Sequence, residues 1–244
     1  MEYSEETYGE RVADVYDDWF SSHDAEAIDL LAQLAGDGRA LELGIGTGRF
    51  ALPLLARGVE VHGIDVSPSM IARLRSKPGG DRVTVVQDNF VDVPVAGEFN
   101  LIYVVFNTFF AVWSQDEQIS CFANIADRLV SGGAFVMEAF VPDLSRFERG
   151  QRVEVRHLDG DSALLMLSRH HPATQRVDSM LIRISNDRVR TWPVPIRYSY
   201  PTELDLMAGH AGLRLEQRWR GWACEPYTDS SVKHVSVYAA SEPA

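Results

Sequence analysis

A glycine-rich turn between a short apolar segment and a helix is the feature that most restricts the fold of this chain. The segment runs from Leu41 to Gly48 and reads LELGIGTG. Its three glycines permit positive φ angles and let a ligand approach the backbone closely. The helix that follows offers free N–H groups at its N-terminus. The pattern therefore predicts a strand–turn–helix unit that binds a nucleotide-like cofactor.

Strand and helix patterns alternate over residues 24–140, which predicts a parallel sheet with helices on both faces. The predicted strands are Ala40–Leu43, Val59–Val66, Val83–Gln87, Phe99–Phe106 and Ala134–Phe140, and the predicted helices are Phe50–Ala56, Pro68–Arg75 and Asp116–Leu129. We therefore predict a Rossmann-like α/β fold, with a seven-stranded, mostly parallel sheet and a cofactor-binding core at 24–140.

Residues 150–200 break this alternation with four strand patterns in succession. These are Arg152–His157, Ala163–Arg169, Val177–Ile184 and Val189–Tyr198. Consecutive strands without helices predict an antiparallel excursion. A helix and two strands within residues 201–244 then complete the core. We interpret the excursion as an insertion into one domain, 1–244, that covers the active site; the alternative is a sheet that only packs or makes an oligomer contact.

The composition of the chain limits the kinds of molecule that it can bind. The 244 residues include 23 basic and 35 acidic ones, a formal net charge of −12. Such a chain is poorly suited to nucleic acid or to an anionic membrane surface. The N-terminus lacks an apolar signal-peptide core, and the two cysteines, Cys121 and Cys224, fit reduced thiols, so we expect a cytoplasmic protein. Scattered histidines predict no metal site.

The glycine spacing separates two classes of cofactor. A dinucleotide fingerprint has glycines at its first, third and sixth positions. Counted from Gly44, the sixth position is Arg49 and the last glycine, Gly48, is fifth. The acidic Glu42 lies two residues before the first glycine. This spacing argues against a nicotinamide oxidoreductase and favours S-adenosylmethionine.

Acidic residues at the ends of the next two strands fit the same cofactor. Asp65 lies 21 residues after Gly44, where a carboxylate can accept both ribose hydroxyls. Asp88 ends the third strand and can accept the adenine amino group, while Phe90 or Met70 can flank the ring. Ligands of open α/β folds bind at this carboxyl edge of the sheet.

These residues resemble the class I methyltransferase superfamily. The matching motifs are Glu42–Gly48, Asp65, Asp88-Asn89 and Leu129–Ala134. The resemblance implies that Glu42 makes an ordered contact near the methionine end of S-adenosylmethionine and that the product is S-adenosylhomocysteine. The predicted cofactor-binding residues are Tyr16, Glu42, Gly44, Gly46, Gly48, Asp65, Val66, Met70, Asp88, Asn89, Phe90 and Phe106.

The N-terminal residues 1–23 are predicted to form a gating helix. Val12, Val15, Tyr16 and Trp19 fall on one helical face, which predicts either a core stripe or a functional surface. For Trp19 we favour packing. The superfamily resemblance implies that the pair Tyr16-Asp17 lies over the cofactor and gates the pocket, and Tyr8 is a similar candidate.

The acceptor is predicted to be an amine. A neutral amine needs no strong base, whereas a hydroxyl needs a base or a metal. Nucleic-acid amino-methyltransferases carry an Asn/Asp-Pro-Pro-aromatic signature after the fourth strand, and this chain has Asn107-Thr108-Phe109-Phe110 there. The chain instead resembles actinobacterial natural-product N-methyltransferases, such as the aminosugar, lincosamide and peptide α-amino enzymes. The residues that carry this resemblance are Tyr8, Tyr16, Asn107–Phe110, Tyr198–Leu204 and Glu225–Thr228.

The resemblance implies a small-molecule amine of antibiotic type as the substrate. Predicted catalytic residues are Tyr8, Tyr16, Asn107 and Phe110, and predicted substrate-binding residues are Phe110, Trp113, Trp192 and Tyr227. The latter four are expected to form an aromatic wall that stabilises a developing ammonium by cation–π attraction. A small-molecule O-methyltransferase is the alternative, followed by a nicotinamide oxidoreductase or a non-catalytic cofactor-binding protein. The insertion is also a candidate surface for homo-oligomers.

Overall fold

A seven-stranded sheet, here called sheet A, forms the centre of the protein. The computed structural model describes residues 6–20, 24–186 and 188–240. The strands of sheet A are β1 (Arg39–Leu43), β2 (Glu60–Asp65), β3 (Thr84–Gln87), β4 (Phe99–Val104), β5 (Leu129–Phe140), β10 (Leu213–Trp219) and β11 (Lys233–Ala240). Their order is β10-β11-β5-β4-β1-β2-β3, and β11 runs in the direction opposite to the other six strands. The strand order reverses between β1 and β4, which is where ligands bind in such sheets.

Helices cover both faces of sheet A. They are α1 (Glu6–Val12), α2 (Tyr16–Trp19), α3 (Ala25–Ala35), α4 (Ala51–Ala56), α5 (Pro68–Arg75), α6 (Gln115–Ala126) and α7 (Pro201–His210). One apolar cluster joins the sheet to α6 and α7, through residues such as Phe122 and Leu204. A second joins the opposite face to α3 and α4, through Leu31 and Leu54. The Rossmann-like α/β prediction is confirmed.

A separate four-stranded sheet, sheet B, forms the insertion. Its strands are β6 (Gln151–Leu158), β7 (Ser162–His171), β8 (Arg176–Ser185) and β9 (Arg188–Arg197), all antiparallel. Because side chains alternate between the faces of a sheet, every second residue points inward. Leu181 and Trp192 of this inner face pack against Val12 of α1. Sheet B thus covers the N-terminal helices.

The N-terminal stripe does not lie on one continuous helix. A turn at residues 13–15 separates α1 from α2, although Val12, Val15, Tyr16 and Trp19 still join one apolar cluster. Contact with sheet B, rather than helical periodicity, brings these side chains together. Residues 1–5 and 21–23 of the predicted gating helix lie outside the described residues.

Several helix and strand boundaries also differ from the sequence predictions, most of all at the junction of α6 and β5. Helix α6 ends at Ala126, and β5 begins at Leu129 rather than at Ala134. Leu129 pairs with Phe99, and the register shifts before the next pair, close to Gly132, whose φ is 75°. This irregularity lets a segment with turn residues join a strand. Helix α3 was also not predicted.

In the described ranges, no helix combines the length and apolar character that crossing a membrane requires.

Candidate active site

The glycine-rich turn lies directly after β1, beside the point where the strand order reverses. Gly44, Gly46 and Gly48 all have positive φ, at 72°, 54° and 80°. A Cβ atom at Gly44 would lie 2.5 Å from Cγ2 of Thr108, so a larger residue would clash there. The Gly44 N–H donates to the carbonyl of Ile64 at 2.9 Å, which fixes the turn to the end of β2.

Asp65 ends β2 and faces this turn. Its Oδ2 accepts the Gly46 N–H at 2.7 Å, and its Oδ1 accepts the Ser67 N–H at 2.9 Å. Burial raises the pKa of Asp65 above its ordinary value, and these two N–H groups oppose that shift. Each carboxylate oxygen has two lone pairs, so both oxygens retain accepting capacity for a diol.

The end of β3 lies beside Asp65. The Asp88 N–H donates to the Asp65 carbonyl at 3.2 Å. The Asp88 side chain is exposed and its Oδ1 accepts the Asn89 N–H at 2.7 Å, while Oδ1 of Asn89 accepts the Val91 N–H. The structure thus brings the predicted ribose and adenine carboxylates to one edge.

A buried carboxyl group lies beneath the turn. Glu42 is 2% exposed, and its Oε2 accepts the Tyr103 hydroxyl at 2.9 Å. Burial raises the pKa of Glu42 to about 8, although the Tyr103 hydrogen bond and the nearby Arg49 charge oppose the shift. The carboxyl group is therefore largely protonated at neutral pH and would ionise beside a cationic ligand.

A narrow pocket opens between this carboxyl group and the N-terminal segment. Its lining includes Tyr16, Glu42, Gly44, Arg49, Phe106 and Thr108. The Arg49 guanidinium lies 4.4 Å from the Phe106 ring centroid, and Phe20 packs edge-on against the same ring. Burial raises the pKa of the Tyr16 hydroxyl, which keeps it protonated at neutral pH.

The N-terminal segment is tied to both sides of the turn. Oδ1 of Asp17 accepts the Thr47 hydroxyl at 2.6 Å and the Lys77 ammonium at 2.8 Å. Burial alone would raise the pKa of Asp17, but these contacts outweigh it and hold the pKa below its usual value. Glu10 in α1 accepts the hydroxyls of Ser67 and Ser69 at the start of α5. These contacts hold α1 and α2 over the glycine-rich turn and the start of α5.

Two residues after β4 have a strained backbone. Phe106 and Asn107 have φ angles of 57° and 65°. Such angles are uncommon for residues other than glycine. Oε2 of Glu138 accepts the Phe106 N–H at 3.0 Å, and Oδ1 of Asn107 accepts the Phe140 N–H at 2.7 Å. Lys233 pairs with the other Glu138 oxygen at 3.0 Å. The end of β5 thus fixes the shape of this turn.

The four side chains of the expected aromatic wall do not come together. Phe110 is fully buried and packs edge-to-face on Phe140 in the core beside α6. Trp192 is 1% exposed and packs on Trp19, in the separate cluster under sheet B.

The other two wall candidates lie elsewhere. Trp113 lies beside the Arg176 guanidinium, and Tyr227 packs near His234 in the loop before β11. The wall prediction took these residues as neighbours, but tertiary packing distributes them over different elements.

The remaining predicted residues lie near the turn or under sheet B. Phe90 is close to Gly44, since a Cβ there would lie 3.8 Å from its Cε1 atom. Val66 follows Asp65 and is partly exposed. Met70 is buried in the cluster that also contains Tyr8. In the ranges that the structure describes, no group of three or more His, Cys, Asp or Glu side chains is arranged for a metal ion.

Sequence reasoning missed Glu138, Lys233 and the pocket position of Arg49. Glu138 had a detectable signal, because it is an acidic residue inside the strongly apolar run FVMEAF. A charged residue in a buried strand is rare unless it is paired.

Replacing Glu138 with alanine is expected to lower the free energy of unfolding by about 2 kcal/mol, because the Phe106 N–H loses its acceptor in a partly buried, strained turn. Glu138→Gln keeps an acceptor oxygen, so the loss should be smaller. Urea denaturation of the two variants measures the difference, and equal losses would contradict this role for Glu138.

Comparisons with known proteins show the family of this chain. Residues 40–133 match a family described as a methyltransferase domain. The CcbJ methyltransferase from Streptomyces caelestis is 37% identical; the alignment covers 98% of this chain and 100% of that chain, with a TM-score of 0.92. A search among curated proteins by sequence finds no match. The chain therefore belongs to the class I S-adenosylmethionine-dependent methyltransferases.

Two more distant structures share the fold. The sugar N-methyltransferase KedS8 from Streptoalloteichus is 16% identical, with 94% of this chain and 92% of that chain covered and a TM-score of 0.68. CalS10 from Micromonospora echinaspora, an amino pentose methyltransferase involved in calicheamicin biosynthesis, is 19% identical. The alignment with CalS10 covers 91% of this chain and 96% of that chain, with a TM-score of 0.64.

Proposed function

We propose that this enzyme methylates an amine nitrogen of a small-molecule secondary metabolite. The observation that carries the proposal is the lining of the pocket beside the turn. It offers aromatic rings and the protonated Tyr16 hydroxyl, and none of its described lining residues is a histidine. An amine that reaches the pocket neutral can attack a methyl group without a strong base. Positioning is then the main task of the protein.

The cofactor assignments follow from the contacts at the turn. S-adenosylmethionine supplies an electrophilic methyl group on a positively charged sulfur. Asp65, held by two backbone N–H groups, is assigned to the ribose hydroxyls, and Asp88 to the adenine amino group. Glu42 is assigned to the ammonium at the methionine end. A buried carboxyl group with a raised pKa fits a cationic ligand, because the ligand's charge stabilises its ionised form.

The acceptor assignments follow from the strained turn and the N-terminal segment. Tyr16 and Asn107 are assigned to orienting the acceptor, and Tyr8 supports them from α1. The Phe106 ring lines the same pocket, with the Arg49 guanidinium 4.4 Å from its centroid, and is assigned to packing against the cofactor. Phe110, buried behind the turn, is assigned to packing that fixes this arrangement.

Methylation of a hydroxyl remains the alternative, and His170 is its strongest candidate base. His170 lies in β7, and its ring contacts other side chains: Nε2 is 2.9 Å from the Tyr198 hydroxyl, and the ring stacks on Phe147. Burial and the neighbouring His171 lower the pKa of His170. It is not among the pocket residues, which favours nitrogen over oxygen. KedS8, a sugar N-methyltransferase, and CalS10, an amino pentose methyltransferase, also favour an amine acceptor.

Methyl-labelled S-adenosylmethionine and matched acceptors test the proposal. A panel of aminosugars and amino-acid amides is offered beside counterparts in which a hydroxyl replaces the amine. We expect label transfer to nitrogen, located by NMR. If the acceptor is an amine, His170→Ala should keep the rate within about threefold of the wild-type rate. If His170 were the general base for a hydroxyl, its loss would lower the rate at least about 100-fold. Transfer to oxygen, or a collapse of activity in His170→Ala, would overturn the amine assignment.

A further inference from the structure

Gln118 is fully buried in α6 and uses its whole hydrogen-bonding capacity. Its Nε2 amide group donates to the carbonyls of Val112 and Arg197, both at 3.1 Å. Its Oε1 accepts from the Arg197 guanidinium at 2.5 Å and from the Ser199 hydroxyl at 2.8 Å. A glutamine amide offers two N–H donors and one oxygen with two lone pairs, so all four positions are occupied. The Gln118 side chain is therefore held in one orientation.

The partners of Gln118 belong to two different parts of the protein. Val112 ends the short helical turn after β4, and Asn107 begins it. We call residues 107–112 the acceptor turn. Arg197 and Ser199 lie at the end of β9, where sheet B returns to the core before α7. One side chain thus joins the acceptor turn directly to sheet B.

A buried ion pair anchors the same end of sheet B. Arg197 is 4% exposed, and its guanidinium donates to the Glu203 carboxylate of α7 and to the Ser199 hydroxyl, both at 2.7 Å. Burial alone would raise the pKa of Glu203, but the hydrogen bonds from Arg197 and Gln175 hold it below its usual value. Replacing a whole buried ion pair by apolar residues is often neutral for stability. We therefore attribute a geometric role to this network.

The inner face of sheet B packs on the N-terminal segment. Trp192 of β9 donates its Nε1 N–H to the Arg11 carbonyl at 2.8 Å, and its ring packs edge-on against Trp19. Tyr16 lies between Arg11 and Trp19 in the chain and belongs to the same apolar cluster. A displacement of β9 would therefore displace Tyr16 as well.

We infer that Gln118 is a positioning residue that sets the placement of Tyr16 relative to Asn107. Its amide bonds to the acceptor turn, which contains Asn107, and to β9, which packs on the segment that carries Tyr16. The inference rests on the proposed function, in which these two residues orient the acceptor. Methyl transfer depends on the placement of the reacting atoms, and a displacement of about 1 Å can lower the rate about 100-fold.

The variant Gln118→Glu tests this role. Its carboxylate keeps oxygen acceptors for Arg197 and Ser199 but cannot donate to the carbonyls of Val112 and Arg197. The assay uses whichever compound of the amine and hydroxyl panel the wild-type enzyme methylates. We expect kcat/KM for this acceptor to fall at least about tenfold. The affinity for S-adenosylhomocysteine, measured by calorimetry, should change less than about threefold, because Asp65 and the glycine-rich turn follow other strands.

Gln217→Glu is the matched control, because it makes the same substitution at an exposed position of β10 and should keep wild-type kinetics. Gln118→Met is a second variant, which keeps the length of the side chain but none of its hydrogen bonds, and it should also lose kcat/KM. If Gln118 only stabilises the fold, folded variants would melt at a lower temperature but keep the wild-type kcat/KM. That result would overturn the inference, as would a failure of both Gln118 variants to fold.

Amide hydrogen exchange gives a readout that needs no acceptor. In Gln118→Glu, exchange should accelerate in both the acceptor turn and β9, while residues 39–48 keep the wild-type rates. Methyl transfer to a hydroxyl would contradict the amine acceptor but not this inference, since the same variants are then assayed with that hydroxyl compound. If no compound of the panel is methylated, the exchange rates decide, and unchanged rates in both segments would overturn the inference.

Discussion

Replacing Asp65 with alanine should weaken S-adenosylhomocysteine binding by at least about 100-fold. The carboxylate is assigned to both ribose hydroxyls, and each charge-assisted hydrogen bond contributes about 1.5–3 kcal/mol. Together they correspond to two or more factors of ten in the dissociation constant. The same carboxylate accepts the Gly46 and Ser67 N–H groups, so its loss also loosens the glycine-rich turn.

Calorimetric titration with S-adenosylhomocysteine measures this effect. Asp37→Ala removes an exposed aspartate in the turn before β1 and should bind like the wild type. Asp65→Asn retains one carbonyl acceptor and should fall between the two. If Asp65→Ala is folded by circular dichroism and binds with wild-type affinity, the ribose assignment is wrong.

The local parts of the fold and site were predictable because their signals are local. Gly44, Gly46 and Gly48 indicate a turn because of the backbone angles that glycine permits. Asp65 follows at a distance in the sequence that is set by the length of the intervening helix and strand. The alternation of strands and helices also predicts the parallel order. The sequence therefore correctly predicted that the glycine-rich turn and Asp65 lie together at the carboxyl edge of the parallel strands.

Contacts between distant segments were not predictable in the same way. To predict whether the four aromatic residues form a wall, one must know how sheet B packs on the core. The sequence pattern of β9 does not indicate that Trp192 packs on Trp19. The break between α1 and α2 has the same origin. Helical spacing of Val12 and Tyr16 fits one continuous helix, but packing under sheet B favours two short ones.

Glu138 illustrates a third case, in which the residue was visible but its partner was not. An acid within β5 signals a special environment, yet its partners are the backbone of Phe106 and the side chain of Lys233, 32 and 95 residues away in the sequence. The strain at Phe106 and Asn107 became interpretable only with these contacts.

Binding of S-adenosylhomocysteine should strengthen as the pH rises from 6 to about 8, by up to about tenfold per pH unit. Burial raises the pKa of Glu42 to about 8, so below that pH the unliganded protein holds a proton on this carboxyl group. The ammonium of the ligand favours the carboxylate, and binding must therefore release the proton. Above the raised pKa the carboxylate is already present, and the affinity should level off.

The variant Glu42→Gln removes the titrating carboxyl group. It therefore distinguishes the contribution of Glu42 to the pH dependence from that of Asp65, whose pKa is also raised. This variant should bind more weakly than the wild type at pH 8 and should lose most of the dependence on pH between 6 and 8. Calorimetry in two buffers of different ionisation enthalpy counts the released proton directly. Wild-type binding that releases no proton at pH 7, or a Glu42→Gln variant with an unchanged slope, would show that Glu42 does not contact the ligand's charge. A released proton that disappears in Glu42→Gln would tie the buried acid before the glycine-rich turn to cofactor recognition.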